Sequence, residues 1–195
     1  MIGKKMSIFD KLAAIKEVRF EDGNITLSGQ RVLIIPQEFA FAVTDLMVKD
    51  KELTGTIYEV VRNKLSVGWA EYIRRRYKFG DNPRNFVKWL IEVGAFVGWG
   101  RHELIKFDSE KLEGILRTYD APMGILYENK LDHPVDHIWR GLTSGCATAA
   151  FQEDMDWIEI KCIAKGDPYC EFLFKPRKSL TPEEITKYKE QLPPL

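Results

Sequence analysis

The chain contains only three cysteines among its 195 residues, and its 29 basic and 29 acidic residues cancel to a formal net charge of zero. Without an excess of positive charge, no global electrostatic field attracts nucleic acid or an anionic membrane. Three cysteines do not suggest a disulfide framework. They fit a reducing compartment, where metal binding, reactivity or burial explains a cysteine. We therefore expect a globular protein with no nucleic-acid partner.

Long hydrophobic runs are missing as well. The N-terminal segment MIGKKMSIFDKLAAIK lacks the apolar core and the cleavage site of a secretory signal. The most apolar stretch, residues 86–100, is too short to span a bilayer and contains Lys88 and Glu92. These features predict a cytoplasmic protein with no membrane partner.

Recognised catalytic motifs are also absent. The sequence has no G-x-S-x-G, no G-x-G-x-x-G, no Walker loop and no H-E-x-x-H. Cys146 and His137 suggest a thiol nucleophile with its base, but nine residues on one helix would separate them by about 13 Å. We therefore predict no catalytic residue, and we expect a binding protein rather than an enzyme.

Hydrophobic patterns in the N-terminal half predict strands followed by helices. Apolar and polar residues alternate on both sides of Asp22-Gly23-Asn24, which predicts a β-hairpin. Helical spacing follows, and Val60 and Val61 are among the residues expected to face inward. The helices predicted in this half cover residues 7–15, 37–49 and 53–77, and a further helix begins at Pro83.

The C-terminal half returns to short β segments before and after one helix. The segments DWIEIKCIA and YCEFLFKP predict a hairpin around KGDP, and a capping box at Thr181 and Glu184 begins a last helix. The remaining elements predicted here are strands at 102–108, 112–120 and 123–128 and a helix at 132–151 with Pro134 in its first turn.

This order of elements predicts an α+β fold, in which an antiparallel sheet packs against a helical layer. No linker divides the sequence, so we expect one domain over residues 1–195. Its expected parts are strands then helices in 1–100, a second part in 101–176, and a C-terminal helix in 177–195.

Glu159, Cys162 and Cys170 surround the predicted hairpin turn and offer one carboxylate and two thiolates. Glu159 and Cys162 are three residues apart, so a regular strand would point them to opposite faces. A bulge, or a strand that ends at Cys162, would bring them together. Tetrahedral zinc takes about four ligands of these types. Spacing alone also allows both cysteines to be buried apolar residues.

A fourth zinc ligand would have to come from outside the hairpin. His133 and His137 are four residues apart and would share a face of the predicted helix. Asp136 is adjacent to that face, and Cys146 lies further along on the expected core stripe. Two of the three histidines in the chain thus lie one short connection before the cysteines.

The C-terminal half, GLTSGCATAAFQEDMDWIEIKCIAKGDPYCEFLFKP, resembles the vinyl-4-reductase (4-vinyl reductase) domain family. The shared features are a small-residue helix with Gly141 and Gly145, an E-x-x-C strand, and G-D-x-x-C-x-F before a basic residue and proline. Residues 101–176 would form this vinyl-reductase-type part. The segments VRFEDGNITLSGQRVLIIP and LSVGWAEYIRRRY are similar to the sensor domains of phenol- and xylene-responsive activators. At the level of fold, the chain resembles vesicle-tethering (TRAPP-like) subunits.

The resemblance implies a structural zinc ion that clamps the hairpin to the preceding helix. In the aromatic sensors, a helix cysteine, a glutamate and two cysteines hold it, and the last three match Glu159, Cys162 and Cys170. The helix cysteine has no counterpart here, because its place falls near Asp136 and His137. We infer His137 as the fourth ligand, with His133, Asp136 and Cys146 as the alternatives.

The resemblance also implies a cavity for a hydrophobic or aromatic small molecule between helices and sheet. The candidate ligand-binding residues are Trp89, Phe96, Trp99, Trp139 and Trp157, which would otherwise simply fill the core. A homodimer through the N-terminal half, including residues 37–77, is expected. The alternative functions are an enzyme or accessory protein for a vinyl or tetrapyrrole compound, and a TRAPP-like assembly module.

Overall fold

The computed structural model describes residues 18–27, 30–68 and 82–192. The predicted helix at 7–15 and the C-terminal end of the one predicted at 53–77 lie outside these residues. The chain divides into two compact units, Met1–Gln37 and Glu38–Leu195. The single domain over 1–195 stays a prediction.

The described part of the first unit contains a small antiparallel sheet. Its strands are β1 (Val18–Glu21), β2 (Asn24–Leu27) and β3 (Gln30–Val32), in the order β1-β2-β3. Asp22 and Gly23 connect β1 to β2 with φ angles of 45° and 78°. A two-residue hairpin turn of type I′ requires positive φ at both positions, which asparagine, aspartate and glycine adopt most easily. The predicted hairpin is confirmed.

The second unit combines helices with a four-stranded antiparallel sheet of order β4-β5-β7-β6. This mixed helical and antiparallel architecture confirms the predicted α+β class. Its helices are α1 (Gln37–Lys49), α2 (Lys51–Val60), α3 (Pro83–Phe96), α4 (Pro122–Leu126), α5 (His137–Phe151) and α6 (Pro182–Gln191). Its strands are β4 (Arg101–Asp108), β5 (Glu113–Tyr119), β6 (Met155–Lys161) and β7 (Cys170–Pro176), and a π-helical segment (Val61–Ser66) continues α2. Among these described helices, none has both the length and the apolar character that crossing a bilayer requires.

Two predicted elements differ in the structure, and a proline lies at or near the start of each. Residues 123–128 were expected as a strand, but α4 begins there with Pro122 in its first turn, where the fixed φ of proline favours a helix. The helix expected from residue 132 begins only at His137. Pro134 disfavours helical geometry at His133, so His133 and His137 do not share a helical face.

Helix α5 packs closely on the π-helical segment because Gly141 has no side chain. A Cβ atom at Gly141 would lie 3.0 Å from the carbonyl oxygen of Tyr58 and 3.1 Å from Cγ1 of Val61. Such distances are shorter than ordinary van der Waals contact, so a larger residue would push α5 outward. The other side of α5 faces the sheet, where Trp157 and Phe172 are almost completely buried.

Polar side chains connect the edge strand β6 to α2, to the segment before α6 and to α6 itself. The buried Asp156 carboxylate accepts hydrogen bonds from the Tyr58 hydroxyl at 2.5 Å and from Nε of Arg177 at 2.7 Å. The side chain of Gln191 on α6 donates to the Glu159 carbonyl at 2.7 Å and accepts from the Glu159 N–H at 3.3 Å. The amide of Gln191 thereby pairs with the free edge of β6.

Candidate functional site

The β6–β7 hairpin brings Glu159 and Cys162 together through an irregularity at the end of β6. The pairing register of β6 with β7 shifts between Glu159 and Lys161, and β6 ends at Lys161. One extra residue in a strand reverses the alternation of side chains after it. The structure therefore has both features that the spacing required, a bulge and a strand end before Cys162.

Four buried side chains converge beside this hairpin. The ligand atoms of Asp136, Glu159, Cys162 and Cys170 all lie within 4.8 Å of one another. The two Sγ atoms are 3.9 Å apart, too far for a disulfide bond of about 2.05 Å. Two thiolates that share a tetrahedral zinc ion at about 2.3 Å would be about 3.8 Å apart. The group therefore has the composition and spacing to hold a metal ion.

The Gly-Asp-Pro turn supports the two thiols. The Cys162 N–H donates to Oδ2 of Asp167 at 2.9 Å, and the Ile163 N–H donates to Sγ of Cys170 at 3.4 Å. Gly166 adopts a φ of 93°, which favours glycine. Gly124 on α4 makes room for the second thiol, because a Cβ atom there would lie 3.0 Å from Sγ of Cys170.

The electrostatics of this group favour a cation. Burial raises the pKa of the Asp136 carboxyl, and burial together with the negative charge of Asp136 raises that of Glu159. The contact with Cys162 and burial raise the pKa of Cys170, whereas the contact with Cys170 lowers that of Cys162. Oδ2 of Asp136 and Oε1 of Glu159 are buried without a hydrogen-bond partner in the described residues. A divalent cation would satisfy both oxygens and replace the protons that these groups otherwise hold.

Three residues considered as the fourth ligand lie outside this group. His137, which the sequence favoured, is buried, and its Nδ1 accepts a hydrogen bond from Nη1 of Arg140 at 3.1 Å. Nδ1 of His133 lies 2.8 Å from Oδ1 of Asp132, on a half-exposed side chain. Cys146 packs in the apolar core, where burial raises the pKa of its thiol to about 12. The structure therefore places Asp136 in the group, and its position before the first residue of α5 is what brings it there.

Four of the five aromatic residues singled out in the sequence are part of the apolar core or packed against it. Trp139 stacks on His102 with ring centroids 4.8 Å apart and on Trp99 at 5.6 Å. Trp157 stacks on Phe174 at 4.7 Å. The two others, Trp89 and Phe96, lie half-buried on α3. The described ring contacts thus form two groups, one of Trp99, Trp139 and His102 and one that joins Trp157 to Trp89 through Phe174, Phe107, Phe151 and Phe86.

His102 adds a polar group that the sequence analysis did not identify. Its Nδ1 pairs with Oγ1 of Thr118 at 2.8 Å. Within the described residues, Nε2 of His102 has no hydrogen-bond partner, and neither do the indole nitrogens of Trp139 and Trp157. Alternation in β4 places His102 in phase with Leu104, which was the available signal that it faces inward.

A separate small pocket lies between α1, α2, the segment before α5, and the end of α6. His133, His137, Lys51 and Gln191 are among its lining residues, and it has room for about two water molecules. None of the five aromatic residues lines it. This pocket therefore does not correspond to the expected aromatic cavity.

Replacing Gly94 on α3 with alanine is expected to disturb the Trp139–His102 pair. The new Cβ would lie 2.5 Å from Cη2 of Trp139 and 2.8 Å from Nε2 of His102. Overpacking of this kind lowers the free energy of unfolding by about 1–3 kcal/mol. Urea denaturation followed by tryptophan fluorescence measures it. The matched control is Gly68→Ala, since a Cβ atom at Gly68 would meet no other atom within 4 Å; equal destabilisation by both variants would contradict the close packing.

The buried His102 is expected to make stability depend on pH. Burial lowers its pKa from 6.5 to about 4, so the unfolded chain binds more protons than the folded chain between these values. The stabilisation is complete above pH 6.5 and is lost as the pH falls toward 4, by roughly 3 kcal/mol. Urea denaturation across this range should show a flatter profile for His102→Asn than for the unchanged protein. If the two proteins showed the same dependence of stability on pH, the His102 side chain would be exposed to water rather than buried.

Comparison with known proteins agrees with the motifs and with the fold. Residues 127–176 match the family model of the vinyl-4-reductase domain. No curated protein matches the chain by sequence. Among solved structures, the phenol-responsive sensory domain of the transcription activator PoxR, crystallised with phenol, has a TM-score of 0.74 at 18% identity, covering 98% of this chain and 100% of that chain.

Two further solved structures are more distant. Trafficking protein particle complex subunit 3 from Naegleria fowleri, covalently bound to palmitic acid, has a TM-score of 0.53 at 10% identity and covers 74% of this chain and 94% of that chain. A vinyl-4-reductase family protein from Methanocaldococcus jannaschii has a TM-score of 0.47 at 16% identity, with coverage of 90% and 99%. At 10% identity, the trafficking subunit shows a shared fold and nothing more. The resemblance to the vinyl-4-reductase domain is thus confirmed over residues 127–176, within a chain that has the fold of the PoxR sensory domain.

Proposed function

We propose that this chain is a binding domain for a small hydrophobic or aromatic molecule, and that it acts as a sensor. The observation that carries the proposal is the pair of stacked rings of Trp139 and His102, each with a buried polar nitrogen that has no partner among the described residues. Leaving a buried donor or acceptor unpaired costs about 1–3 kcal/mol. A ligand that carries one polar group on an aromatic body would satisfy such a nitrogen and stack on the rings.

The aromatic residues predicted from the sequence would form the ligand site. Trp139 stacks on both Trp99 and His102, and Trp157 lies on strand β6. Trp89 and Phe96 on the half-buried face of α3 would close the site from the helical side. The fold shared with the PoxR sensory domain, which was crystallised with phenol, supports this class of ligand.

Phenol is the first ligand to test, with benzene as a matched molecule that lacks the hydroxyl group. Binding to the folded state alone raises the melting temperature by mass action, by an amount that grows with ligand concentration. We expect phenol to raise it more than benzene and to change the tryptophan fluorescence. Gly94→Ala should weaken both responses. No response to either compound at millimolar concentration, with the fold intact, would contradict the ligand site.

We also propose that a structural zinc ion is held by Asp136, Glu159, Cys162 and Cys170. Two thiols and two carboxyls, each buried, fit zinc better than magnesium or calcium, which prefer oxygen ligands alone. Four protein ligands leave no open position for a substrate or an activated water molecule. Zinc here would join β6, β7 and the start of α5. The free thiols fit the reducing cytoplasm.

A homodimer through the N-terminal half, including residues 37–77, completes the proposal. Phe39 and Leu46, seven residues apart on one side of α1, are 61% and 56% exposed, and Val60 on α2 is 44% exposed. Large apolar side chains of this kind are suited to contact with a second copy of the chain. Light scattering at micromolar concentration should give the mass of a dimer. The mass of one chain would contradict the proposal.

A further inference from the structure

We infer that Arg140 is the internal counter-charge of the metal centre, a positioning residue whose positive charge allows four anionic ligands to gather in the protein interior. The inference rests on the proposed metal site. It concerns a residue that makes no direct contact with the ligand atoms, and it assigns the role to the charge of the guanidinium group rather than to its hydrogen bonds.

Arg140 is completely buried, and its hydrogen bonds go to neutral acceptors. Nε donates to the Trp157 carbonyl at 2.7 Å, and Nη1 donates to Nδ1 of His137 at 3.1 Å. Nη2 is buried without a partner among the described residues. The rings of Tyr58 and Tyr188 lie over the guanidinium, with centroids 5.5 and 5.9 Å away. Water therefore cannot solvate this charge.

Among the described residues of this unit, each of the other buried or half-buried arginines and lysines contacts a carboxylate. Arg62 pairs with Asp154, Lys175 pairs with Glu113 and Glu184, and Arg177 pairs with Asp156. Within the described residues, Arg140 is within salt-bridge distance of no carboxylate. A buried guanidinium without a negative charge nearby would be strongly unfavourable.

The negative charge available to Arg140 is that of the metal centre. The Asp156 carboxylate already accepts hydrogen bonds from Arg177 and from the Tyr58 hydroxyl. Arg140 lies one helical turn after Asp136, whose carbonyl accepts the Arg140 N–H at 2.9 Å. The Trp157 carbonyl that holds Nε lies two residues before Glu159 on β6. The guanidinium is thus anchored to the two elements that supply the carboxylate ligands.

The charges of the loaded site require such a group. Two carboxylates and two thiolates carry four negative charges, and a divalent ion removes two of them. Two excess negative charges would remain in an interior of low dielectric constant. The Arg140 charge removes half of that excess. The unpaired positive charge of Arg140 and the excess negative charge of the metal centre would each be unfavourable alone, and together they partly neutralise each other.

Zinc affinity of the Arg140 variants tests this role. Competition with a chromophoric chelator at fixed pH would compare the unchanged protein with Arg140→Lys, which keeps the charge, and Arg140→Gln, which removes it. We expect Arg140→Gln to weaken zinc binding at least tenfold and Arg140→Lys to stay within about threefold of the unchanged protein. Arg62→Gln, which removes a buried cation paired with Asp154, should leave the affinity unchanged.

The outcomes separate the inference from the proposal on which it rests. If the protein without substitutions binds no zinc, the proposed metal site is wrong. If the protein without substitutions binds zinc, and the Arg140→Gln and Arg140→Lys variants bind zinc with equal affinity, the counter-charge role of Arg140 is wrong but the metal site stands. If Arg140→Gln does not fold, Arg140→Lys decides the question: zinc affinity within about threefold of the unsubstituted protein supports the inference, and a loss of tenfold or more contradicts it.

Discussion

Replacing Cys162 or Cys170 with serine is expected to abolish stoichiometric zinc binding and to lower the free energy of unfolding by several kcal/mol, roughly 3–5. Each thiol is completely buried, and each would supply one of four ligands. Because the site joins β6, β7 and the start of α5, its loss should loosen the C-terminal third before the rest. Urea denaturation and elemental analysis of the same preparations measure the two effects.

Cys146→Ser is the matched control for both cysteine variants. Cys146 is also buried in the apolar core, but it is not one of the four clustered side chains. Its replacement should cost roughly 1–3 kcal/mol, the cost of a buried hydroxyl, and should leave the zinc content unchanged. If all three serine variants lost the same stability and kept the same metal content, the hairpin cysteines would be core residues only.

Asp136→Asn is expected to weaken zinc binding more than about 100-fold, equivalent to about 3 kcal/mol or more. The substitution keeps the size of the side chain but replaces an anionic ligand with a neutral amide. Chelator competition measures the affinity, and Co²⁺ substitution reports the change of ligand set through its visible absorption. The same substitution should destabilise the hairpin less than loss of a thiol does, because the amide oxygen stays near the site.

His137→Asn discriminates between the two neighbouring candidates for the fourth ligand. His137 contacts Arg140 and not the metal group, so its replacement should leave zinc affinity within a few-fold of the unchanged protein. The reverse result, strong zinc loss in His137→Asn and none in Asp136→Asn, would show that the histidine is the ligand.

Local signals predicted several elements well because each rests on short-range physics. The Asp22-Gly23 turn requires positive φ angles, which these residues tolerate, and the structure has them. The capping box predicted at Thr181 and Glu184 forms with both of its reciprocal hydrogen bonds. The three-residue spacing of Glu159 and Cys162 predicted a bulge or a strand end, because no regular strand brings these side chains together.

Other features depend on contacts that the sequence does not reveal. The resemblance put the fourth ligand near Asp136 and His137 and His137 was favoured, whereas in the structure Asp136, just before α5, is the one of the two that lies in the group. Val60 was expected to face inward but is 44% exposed, since Tyr58 and Val61 occupy the buried face. The burial of Arg140 within a polar network could not be predicted, because arginine is usually exposed.

Native mass spectrometry of the purified protein tests the central claim most directly, since it counts zinc ions, bound small molecules and subunits in one measurement. We predict one zinc ion per chain in the folded protein, lost in Cys162→Ser, reduced in Asp136→Asn, and kept in Cys146→Ser and His137→Asn. A fully folded protein that contains no zinc, and whose Cys162 and Cys170 thiols both react freely, would contradict the account.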